Sequence, residues 1–448
     1  MLGLFGEYDV VVAGAGVTGV VAALAAGREG AKTLLVEGSG FIGGNLTAGR
    51  LTKPHGEVQT GVFLEMMRRA EQMGGADTSK QQSSWGQFSG IFDPEIIQRV
   101  IIEALEEAKI EILLHAQITD VVMSDRVRGL EVQVKSGQRL ILSKALVDAT
   151  GDGDVAALAG ARFMFGRPSD GRTQPMTAYV RLINVDVPML AQYMRDHPEE
   201  FTFDNVLPPE GGDRNEDYVF KLLATGFISL IRKAKEAGDY TVPKDHITVK
   251  TGMLPGEINI NATRVQGNAL DERALSRAEV EIRKQAYNVY DFFKKYVPGF
   301  ENAALLDIAP KLGVRETRRI EGDYILTGDE VQSQARFPDA IGLSVSAVDI
   351  HEPGGEGGTM VTVKGGYGIP YRALLPKGVE GLLVAGRCIS TDEVAHGSTR
   401  NVPACALTGE AAGTAAALAA RKRVTPRQLD VADVQAALES RGIPLGTV

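Results

Sequence analysis

The sequence predicts an α/β protein: a nucleotide-binding domain, with a parallel sheet and a small antiparallel insert, that carries an inserted α+β substrate domain. Three observations predict this fold class. The first fifty residues have the pattern of a strand, a glycine turn, a helix and a second strand. Between about residues 166 and 335, strand-like pieces mix with one long helical stretch. After residue 380, an apolar strand and a helix of small residues return to the first pattern.

The first fifty residues indicate a dinucleotide site. Tyr8–Ala13 is a β-branched run suited to a buried parallel strand, and Val20–Arg28 is an alanine-rich helix. Between them stands the glycine-rich turn Gly14–Gly19. Lys32–Val36 is a second apolar strand, and Glu37 follows it directly. A lone glycine turn is a weak signal, whereas this turn with both strands, the helix and the distal acid is a strong one.

Each glycine of the turn has its own physical task. Gly14 permits the tight turn, Gly16 lets the backbone approach a pyrophosphate, and Gly19 lets helix and strand pack closely. The diphosphate then lies on the free N–H groups and the positive dipole end of the helix. Glu37 is placed where a carboxylate can accept hydrogen bonds from ribose hydroxyls.

The remaining elements are predicted from hydrophobic patterning and turn residues. A hairpin of alternating residues between 130 and 142 forms the antiparallel insert, and Pro403 opens the late helix because its missing N–H is not needed there. The other predicted strands are Glu111–His115, Ala145–Ala149, Thr177–Ile183, Glu257–Asn261 and Gly381–Ala385, and the other predicted helices are Asp93–Ala108, Asp271–Lys295, Ala404–Ala420 and Val431–Ser440.

Composition excludes several function classes. The chain has 448 residues, of which 44% are hydrophobic and 23% charged, as in an ordinary soluble protein. A net charge of −9 argues against nucleic-acid binding and a basic membrane-docking surface. Two cysteines are too few for a disulfide framework or an iron–sulfur cluster, and no metal site is expected. Without a signal peptide or an apolar membrane span, we expect a cytoplasmic protein.

Five segments resemble FAD-dependent oxidoreductases of the glutathione-reductase-like class, which are related to fumarate reductase and succinate dehydrogenase flavoproteins. These segments are Gly14–Gly19 with Glu37, Gly43–Asn45, Ala149–Asp154, Leu382–Arg387 and the helix after Pro403. The resemblance covers nearly the whole chain and implies FAD as cofactor and a Rossmann-like FAD-binding domain. With the change of pattern along the chain, it implies an FAD-binding domain at 1–165 and 336–425, an inserted substrate or cap domain at 166–335, and a helical tail at 426–448. The cofactor-binding residues that it implies are Gly14, Ala15, Gly16, Thr18, Gly19, Glu37, Gly43, Gly44, Asn45, Ile118, Ala149, Thr150, Gly151, Asp154, Gly386, Arg387, Asn401, Val402 and Ala404.

The candidate catalytic residues are three histidines and one arginine. The segment from His396 to Arg400 resembles the His-Gly-Ala-Asn-Arg segment of fumarate reductases, whose arginine grips a substrate carboxylate, but its third and fourth positions differ. A role of both residues in holding the flavin and its loop stays open. His55 and His351 lie in glycine-containing loops, and each is either an acid or base, since histidine titrates near neutral pH, or a structural loop histidine.

The run from Arg315 to Arg319 allows two interpretations. At helical spacing Arg315 and Arg319 lie on one face, and with Arg318 and Arg372 they present positive charge to a flavin or an anionic substrate. Alternatively, the run is a solvated helix face. His115 is expected on a strand, His197 in a polar helix, and His246 in the inserted domain without a motif.

The predicted function is that of a dehydrogenase or oxidase that oxidises a small polar substrate, with an anionic substrate as one candidate, by hydride transfer to flavin N5. The alternatives are a fumarate-reductase-like or NAD(P)H-driven reductase or hydroxylase, a redox-neutral flavoprotein, and an electron-transfer subunit. A dedicated NAD(P)H domain is not expected, since the chain has one glycine fingerprint. Oxygen, a quinone or another protein is the expected electron acceptor, and homo-oligomerisation is left open.

Overall fold

The computed structural model describes residues 2–56, 61–83, 86–201, 205–208, 210–353 and 358–448. The strands are β1 (Gly3–Ala13), β2 (Thr33–Val36), β3 (Ala76–Ser83), β4 (Gly86–Phe92), β5 (Glu111–Leu113), β6 (Gln117–Met123), β7 (Val127–Val134), β8 (Gly137–Asp148), β9 (Phe163–Phe165), β10 (Val180–Ile183), β11 (Leu223–Gly226), β12 (Ile247–Thr251), β13 (Ile258–Asn261), β14 (Ala304–Ile308), β15 (Arg318–Ile320), β16 (Ala340–Ser344), β17 (Val348–His351), β18 (Gly358–Val361), β19 (Tyr367–Pro370) and β20 (Leu382–Val384). The α-helices are α1 (Val17–Arg28), α2 (Gly61–Gln72), α3 (Pro94–Glu107), α4 (Asp154–Leu158), α5 (Val187–Asp196), α6 (Ile228–Glu236), α7 (Glu272–Tyr296), α8 (Gly328–Gln332), α9 (Glu393–Thr399), α10 (Val402–Lys422) and α11 (Val431–Glu439).

The first sheet has the predicted parallel core and antiparallel insert. Its strand order is β5-β2-β1-β8-β7-β6, and β20 also pairs with β8. The pairs among β5, β2, β1, β8 and β20 are parallel, whereas β6, β7 and the first half of β8 form an antiparallel meander. Since β20 returns to β8 from more than two hundred residues later in the chain, both ends of the polypeptide build one sheet. The predicted fold class is confirmed.

A second, antiparallel sheet lies in the middle of the chain, in the order β11-β12-β13-β10-β14. One face of it packs with α5, α6 and α7 into a separate hydrophobic core that includes Val249, Ile260 and Phe293. The strands alternate, so the other face carries polar side chains away from that core. Strands β9 and β15 pair with each other, which brings the two ends of the middle segment side by side. The predicted domain boundaries stay predictions.

Several element predictions need correction. The run from Arg315 to Arg319 is not a helix: Arg315 lies in a loop and β15 begins at Arg318. Strand β5 ends at Leu113, and His115 has a positive φ of 53° in the following turn. The predicted strand starting at Thr177 begins at Val180, because Thr177 makes an isolated bridge instead.

Candidate functional site

In the glycine turn after β1, two glycines are required by the packing of the protein itself, and a third leaves room for a ligand. Gly14 has a φ of +92°, and a Cβ there would lie 2.6 Å from the Ala149 carbonyl oxygen. A Cβ on Gly19 would lie 1.7 Å from the Gly14 carbonyl oxygen. A Cβ on Gly16, in contrast, would have no neighbouring atom of the described residues within 4 Å. The protein's own packing therefore requires glycine at positions 14 and 19, while Gly16 leaves open space before the N-terminus of α1.

Helices α1 and α10 pack side by side. A Cβ on Gly409 would collide with the Thr18 carbonyl oxygen, and one on Gly413 with the Ala22 carbonyl oxygen. Both contacts advance by four residues in the same direction, so the two helices run parallel. Neither helix has a side-chain N-cap. Their free N–H groups and positive dipole ends therefore point in the same direction, although α10 extends about 9 Å beyond the start of α1, and each end favours an anionic group such as a diphosphate.

Glu37 lies beside the glycine turn, as predicted. Its carboxylate accepts hydrogen bonds from the backbone N–H groups of Ala15 and Ser39, both at 2.8 Å. The Gly43 N–H donates to the Ala15 carbonyl at 2.7 Å, and Gly43 and Gly44 both have positive φ. The second glycine loop therefore lies against the first. A carboxylate has four lone-pair positions, so Glu37 retains acceptor capacity for ribose hydroxyls.

The loop after β8 is held by two aspartates. The fully buried Asp148 accepts from Thr150 N and Oγ1 and from Ala156 N, at 3.1, 2.7 and 2.9 Å. Burial raises the pKa of Asp148 to about 6 despite these hydrogen bonds. The Asp152 carboxylate accepts from Arg387 at 2.6 Å. Asp148 was not among the predicted site residues, although an acid that ends an apolar strand is a recognisable signal.

Other predicted cofactor residues lie in the returning segments, and Ile118 directly follows Gln117, whose Nε2 donates to the Gly38 carbonyl at 3.0 Å. Gly386 has a φ of +79°, and its N–H donates to Thr408 Oγ1 at 3.0 Å. The Asn401 side chain donates to the Ala347 carbonyl at 3.0 Å and marks the start of α10. Arg318 pairs with Asp154 at 2.9 Å. Ile118 lies in β6, at the edge of the antiparallel insert.

A cavity of about 620 Å³ extends from these segments to the polar face of the second sheet. The residues that the nucleotide-binding segments contribute are Asn45, Gly49, Leu51, Arg387, Asn401 and Val402. The residues that the second sheet contributes are Leu223, Thr225, Thr248, Lys250 and Asn261. The two parts of the chain therefore enclose one space.

Three of the four predicted catalytic residues line this cavity: His55, His351 and Arg400. The fourth, His396, is 0% exposed in α9 and does not line it. Burial, reinforced by Arg319 and the neighbouring arginines, holds the pKa of His396 well below its usual value. The alternative in which His396 is structural fits this position, and His396 is not a candidate acid or base in this structure.

Asp349 connects two of the predicted residues, and sequence reasoning missed it. Its Oδ2 lies 3.0 Å from Arg400 Nη2 and 3.4 Å from His351 Nε2. Burial opposes ionisation, but His351 and Arg400 hold the pKa of the Asp349 carboxyl well below its usual value. Arg264 Nη2 lies 3.3 Å from His351 Nδ1. An arginine cannot accept a hydrogen bond, so His351 is neutral, with Nδ1 as acceptor and Nε2–H toward Asp349.

Three histidines line the cavity, His55, His246 and His351, and burial lowers the pKa of each. Burial and the Arg315 charge lower the pKa of His351 to about 3. Burial also lowers the pKa of His55 to about 4; Lys250 and the other nearby cations contribute, and Asp349 opposes them. Arg264 already faces the lone pair of His351, so His351 is a poor proton acceptor, and His55 is the other predicted catalytic histidine that lines the cavity.

The cavity is strongly cationic, and most of its cations were not predicted. Lys53, Lys244, Lys250, Arg264 and Arg315 line it together with the paired Arg387 and Arg400. Burial lowers the pKa of Lys244 and Lys250 to about 7, that of Lys53 to about 8 and that of Arg315 to about 9. Asp349 is the one carboxylate among the described lining residues.

The other arginines of the predicted cationic run serve the fold. Arg319 is buried in an ion pair with Glu316, and Arg318 holds the loop after β8. Arg372 pairs with Asp339 at 2.9 Å and does not line the cavity. Of this set, Arg315 alone lines the cavity among the described residues, and its predicted role toward a flavin or an anionic substrate stays a prediction.

The sequence matches the FAD dependent oxidoreductase family over residues 9–438. The chain belongs to this family. Its cofactor is FAD, and the residues present fit that group: open space at Gly16, two uncapped helix ends and a carboxylate at the end of β2. No protein of curated function matches the sequence.

Solved structures are similar to this chain at low sequence identity. A geranylgeranyl bacteriochlorophyll reductase-like protein from Thermoplasma acidophilum is 13% identical, with a TM-score of 0.50 over 97% of this chain and 82% of its own. The p-nitrophenol 4-monooxygenase PnpA from Pseudomonas putida is 11% identical, with a TM-score of 0.49 over 98% and 85%. GidA from Aquifex aeolicus is 16% identical, with a TM-score of 0.46 over 93% and 64%. Within the described residues, no helix is long and apolar enough to span a bilayer.

Proposed function

We propose that this flavoprotein is a dehydrogenase or oxidase of a small anionic molecule, an organic acid being the simplest class. The observation that carries the proposal is the cationic cavity that adjoins the FAD-binding segments. Buried cations in folded proteins are paired with anions or bind them. Because one carboxylate lines this cavity among the described residues, an anionic substrate supplies the missing charge.

The proposed binding group for the first anionic substituent is Lys244, Arg264 and Arg315. Arg315 Nη1 is fixed by the Pro175 carbonyl at 2.5 Å, and Arg264 by His351 at 3.3 Å. An arginine held at one nitrogen still offers other N–H donors to a carboxylate or phosphate. Arg400, which the fumarate-reductase resemblance suggested for this role, pairs with Asp349 through Nη2 and still offers its other N–H groups to an anion.

FAD, when bound, supplies the hydride acceptor of the reaction. The chain must then supply a base, and we assign that role to His55. Its neutral imidazole can accept the proton of a substrate hydroxyl or amine. An anion that binds among the cavity cations offsets their charge, which raises the pKa of His55 and makes it a better base.

An anaerobic reduction assay with purified holoenzyme tests the proposal. Hydroxy acids, amino acids, neutral sugars and NAD(P)H are mixed separately with the oxidised protein, and loss of the yellow flavin absorbance is followed. We expect acids to reduce the flavin and the others not to. Reduction by NAD(P)H alone would favour the reductase or hydroxylase alternative, and reduction by neutral sugars alone would refute the role of the cations.

A matched pair of histidine variants tests the base. His55→Gln should retain FAD and lose most of the reduction rate, since one general base contributes about 10²–10⁴-fold. His197→Gln is the control, because its side chain is about half exposed, at 49%, and does not line the cavity. Equal rates in both variants would exclude His55 as base. Exposing the reduced protein to air then distinguishes an oxidase, which reoxidises within seconds, from a dehydrogenase that needs a quinone or protein acceptor.

We also keep the cytoplasm as the proposed compartment. Cys388 and Cys405 are both buried free thiols, which suits a reducing environment.

A further inference from the structure

We infer that the substrate carries two anionic groups, and that Lys250, together with Lys53, binds the second group while Lys244, Arg264 and Arg315 bind the first. We call Lys53 and Lys250 the lysine pole, and Lys244, Arg264 and Arg315 the arginine pole. The inference rests on the proposed function and specifies its substrate class: a small molecule with a carboxylate or phosphate near each end.

Lys250 is built into the cavity as a buried cation that lacks an anion. It is 6% exposed, and no carboxylate among the described residues lies within 4.0 Å of its Nζ. Its Nζ lies 4.9 Å from the centroid of the Tyr179 ring. A cation–π contact orients an ammonium group but does not neutralise its charge. The site therefore retains an uncompensated positive charge.

The same sheet contains a buried cation with a structural role. Arg181 in β10 is also 6% exposed, but it pairs with Glu257 at 3.1 Å and with Asp307 at 2.6 Å. The fold thus neutralises a buried cation completely where the role is structural. Lys250 lies on the same face of this sheet, because Asn259 in β13 is the cross-strand partner of both Arg181 and Lys250, but it has no carboxylate partner among the described residues. This contrast indicates that its counter-charge is a ligand.

Strand geometry separates the two poles. Lys244 Nζ donates to the Asn261 carbonyl at 3.3 Å, and Asn261 is the cross-strand partner of Thr248. Lys250 lies two residues further along β12, a distance of about 7 Å along the strand. Thr248 and Lys250 both face the cavity, whereas Val249 between them packs in the core. The strand therefore presents Lys250 at a different point of the cavity from Lys244.

Lys244 and Lys250 are affected by different cations, which supports the division into two poles. The cations that most affect Lys244 are Arg264 and Arg315, whereas the one that affects Lys250 is Lys53. Lys250 and Lys53 also lower the pKa of His55, so the proposed base, which lines the same cavity, lies within electrostatic reach of the lysine pole.

The test compares dianionic and monoanionic probes on the oxidised holoenzyme, where no turnover is needed. Glutarate and butyrate have similar carbon chains and differ in the second carboxylate; phosphoglycolate tests a phosphate in its place. Binding is followed by the shift of the flavin spectrum and by calorimetry. We expect the wild type to bind at least one dianion about tenfold or more tightly than butyrate, as a charge-assisted hydrogen bond allows. The tighter of glutarate and phosphoglycolate indicates which anion the lysine pole takes.

Variants test whether Lys250 causes the preference for a dianion over butyrate. Lys250→Met should remove the dianion preference and leave the Kd of butyrate within about twofold, Lys250→Arg should retain the preference, and Lys284→Met on the exposed side of α7 is the control. FAD content and thermal stability of each variant verify folding. An equal loss of both probes in Lys250→Met, or no dianion preference in the wild type, would overturn the inference while butyrate binding still supports the proposed function. If no anion perturbs the flavin or binds, both proposals fail.

Discussion

Replacing Lys250 by methionine should stabilise the substrate-free protein. The lysine is buried with no carboxylate partner among the described residues. Its charge therefore lowers the free energy of unfolding of the protein, while it serves to bind the proposed substrate. Methionine keeps most of the apolar stem and removes the ammonium group. Unpaired buried charges that lower stability are expected at functional sites. The gain in stability on replacing Lys250 measures the cost of burying its charge.

The magnitude follows from the pKa of Lys250, which burial lowers from 10.5 to about 7. A lysine whose pKa is lowered by folding binds fewer protons in the native state than in the unfolded state between pH 7 and 10.5. Wild-type stability therefore rises with pH across that window, and the full cost of burial is present below it. The cost is roughly 4 kcal/mol at pH 7 and roughly 2 kcal/mol at pH 9. Loss of the Tyr179 contact offsets about 0.5–1 kcal/mol of the gain.

Thermal unfolding with FAD at the same saturating concentration checks this expectation. For a chain of this length about 1 kcal/mol corresponds to roughly 1 °C, so Lys250→Met should raise Tm by roughly 3 °C at pH 7 and by roughly 1 °C at pH 9. Lys284→Met should leave Tm unchanged at both pH values, because that side chain is exposed. A Tm of Lys250→Met that falls equally at pH 7 and pH 9 would show that the lysine is a packing residue, and the reasoning would be refuted.

The other predictions concern the cofactor, the base and anion binding. Gly16→Val should give colourless protein that remains folded, because open space rather than protein surrounds that position; yellow protein with normal FAD content would contradict it. Gly413→Val should lower Tm by several degrees, because its side chain would press on the Ala22 carbonyl of α1; an unchanged Tm would mean that the helices can separate at no cost. Anion affinity, measured by flavin titration, should fall as pH rises above about 7, where Lys244 and Lys250 lose their protons in the free protein. The slope should approach two protons per anion in the wild type and one in Lys250→Met, and a flat profile would exclude both lysines.

The cofactor half of the site was predictable because its signals are local. The turn from Gly14 to Gly19 lies within one strand, turn and helix unit, so neighbouring residues report its conformation. Glu37 follows directly from the end of β2. The late helix could be assigned to the same region because small residues such as Gly409 and Gly413 permit close helix packing.

The substrate half was not predictable, because distant segments assemble it. Lys53, Lys244 and Arg315 come from three loops or strand ends that meet only in the folded protein. Lys250 had a misleading signal: a lysine that alternates with apolar residues is typical of a solvated strand face. In this protein that face is covered by the nucleotide-binding domain. The run from Arg315 to Arg319 was misread for a related reason, since helical spacing alone does not distinguish a helix from a loop followed by an edge strand.

The charges of the cavity bear on catalysis as well as on affinity. Burial lowers the pKa of His55 to about 4, and Lys250 and Lys53, the groups proposed to bind the second anionic group of the substrate, contribute to this shift. A dianion that occupies both poles neutralises them and restores basicity to His55, whereas a neutral analogue leaves His55 too weak a base. Removing one anionic group from the substrate should therefore reduce kcat in addition to raising KM, because the binding energy at the poles is used to activate the base. Discrimination against neutral molecules then arises in the chemical step itself, at a residue that touches neither anionic group.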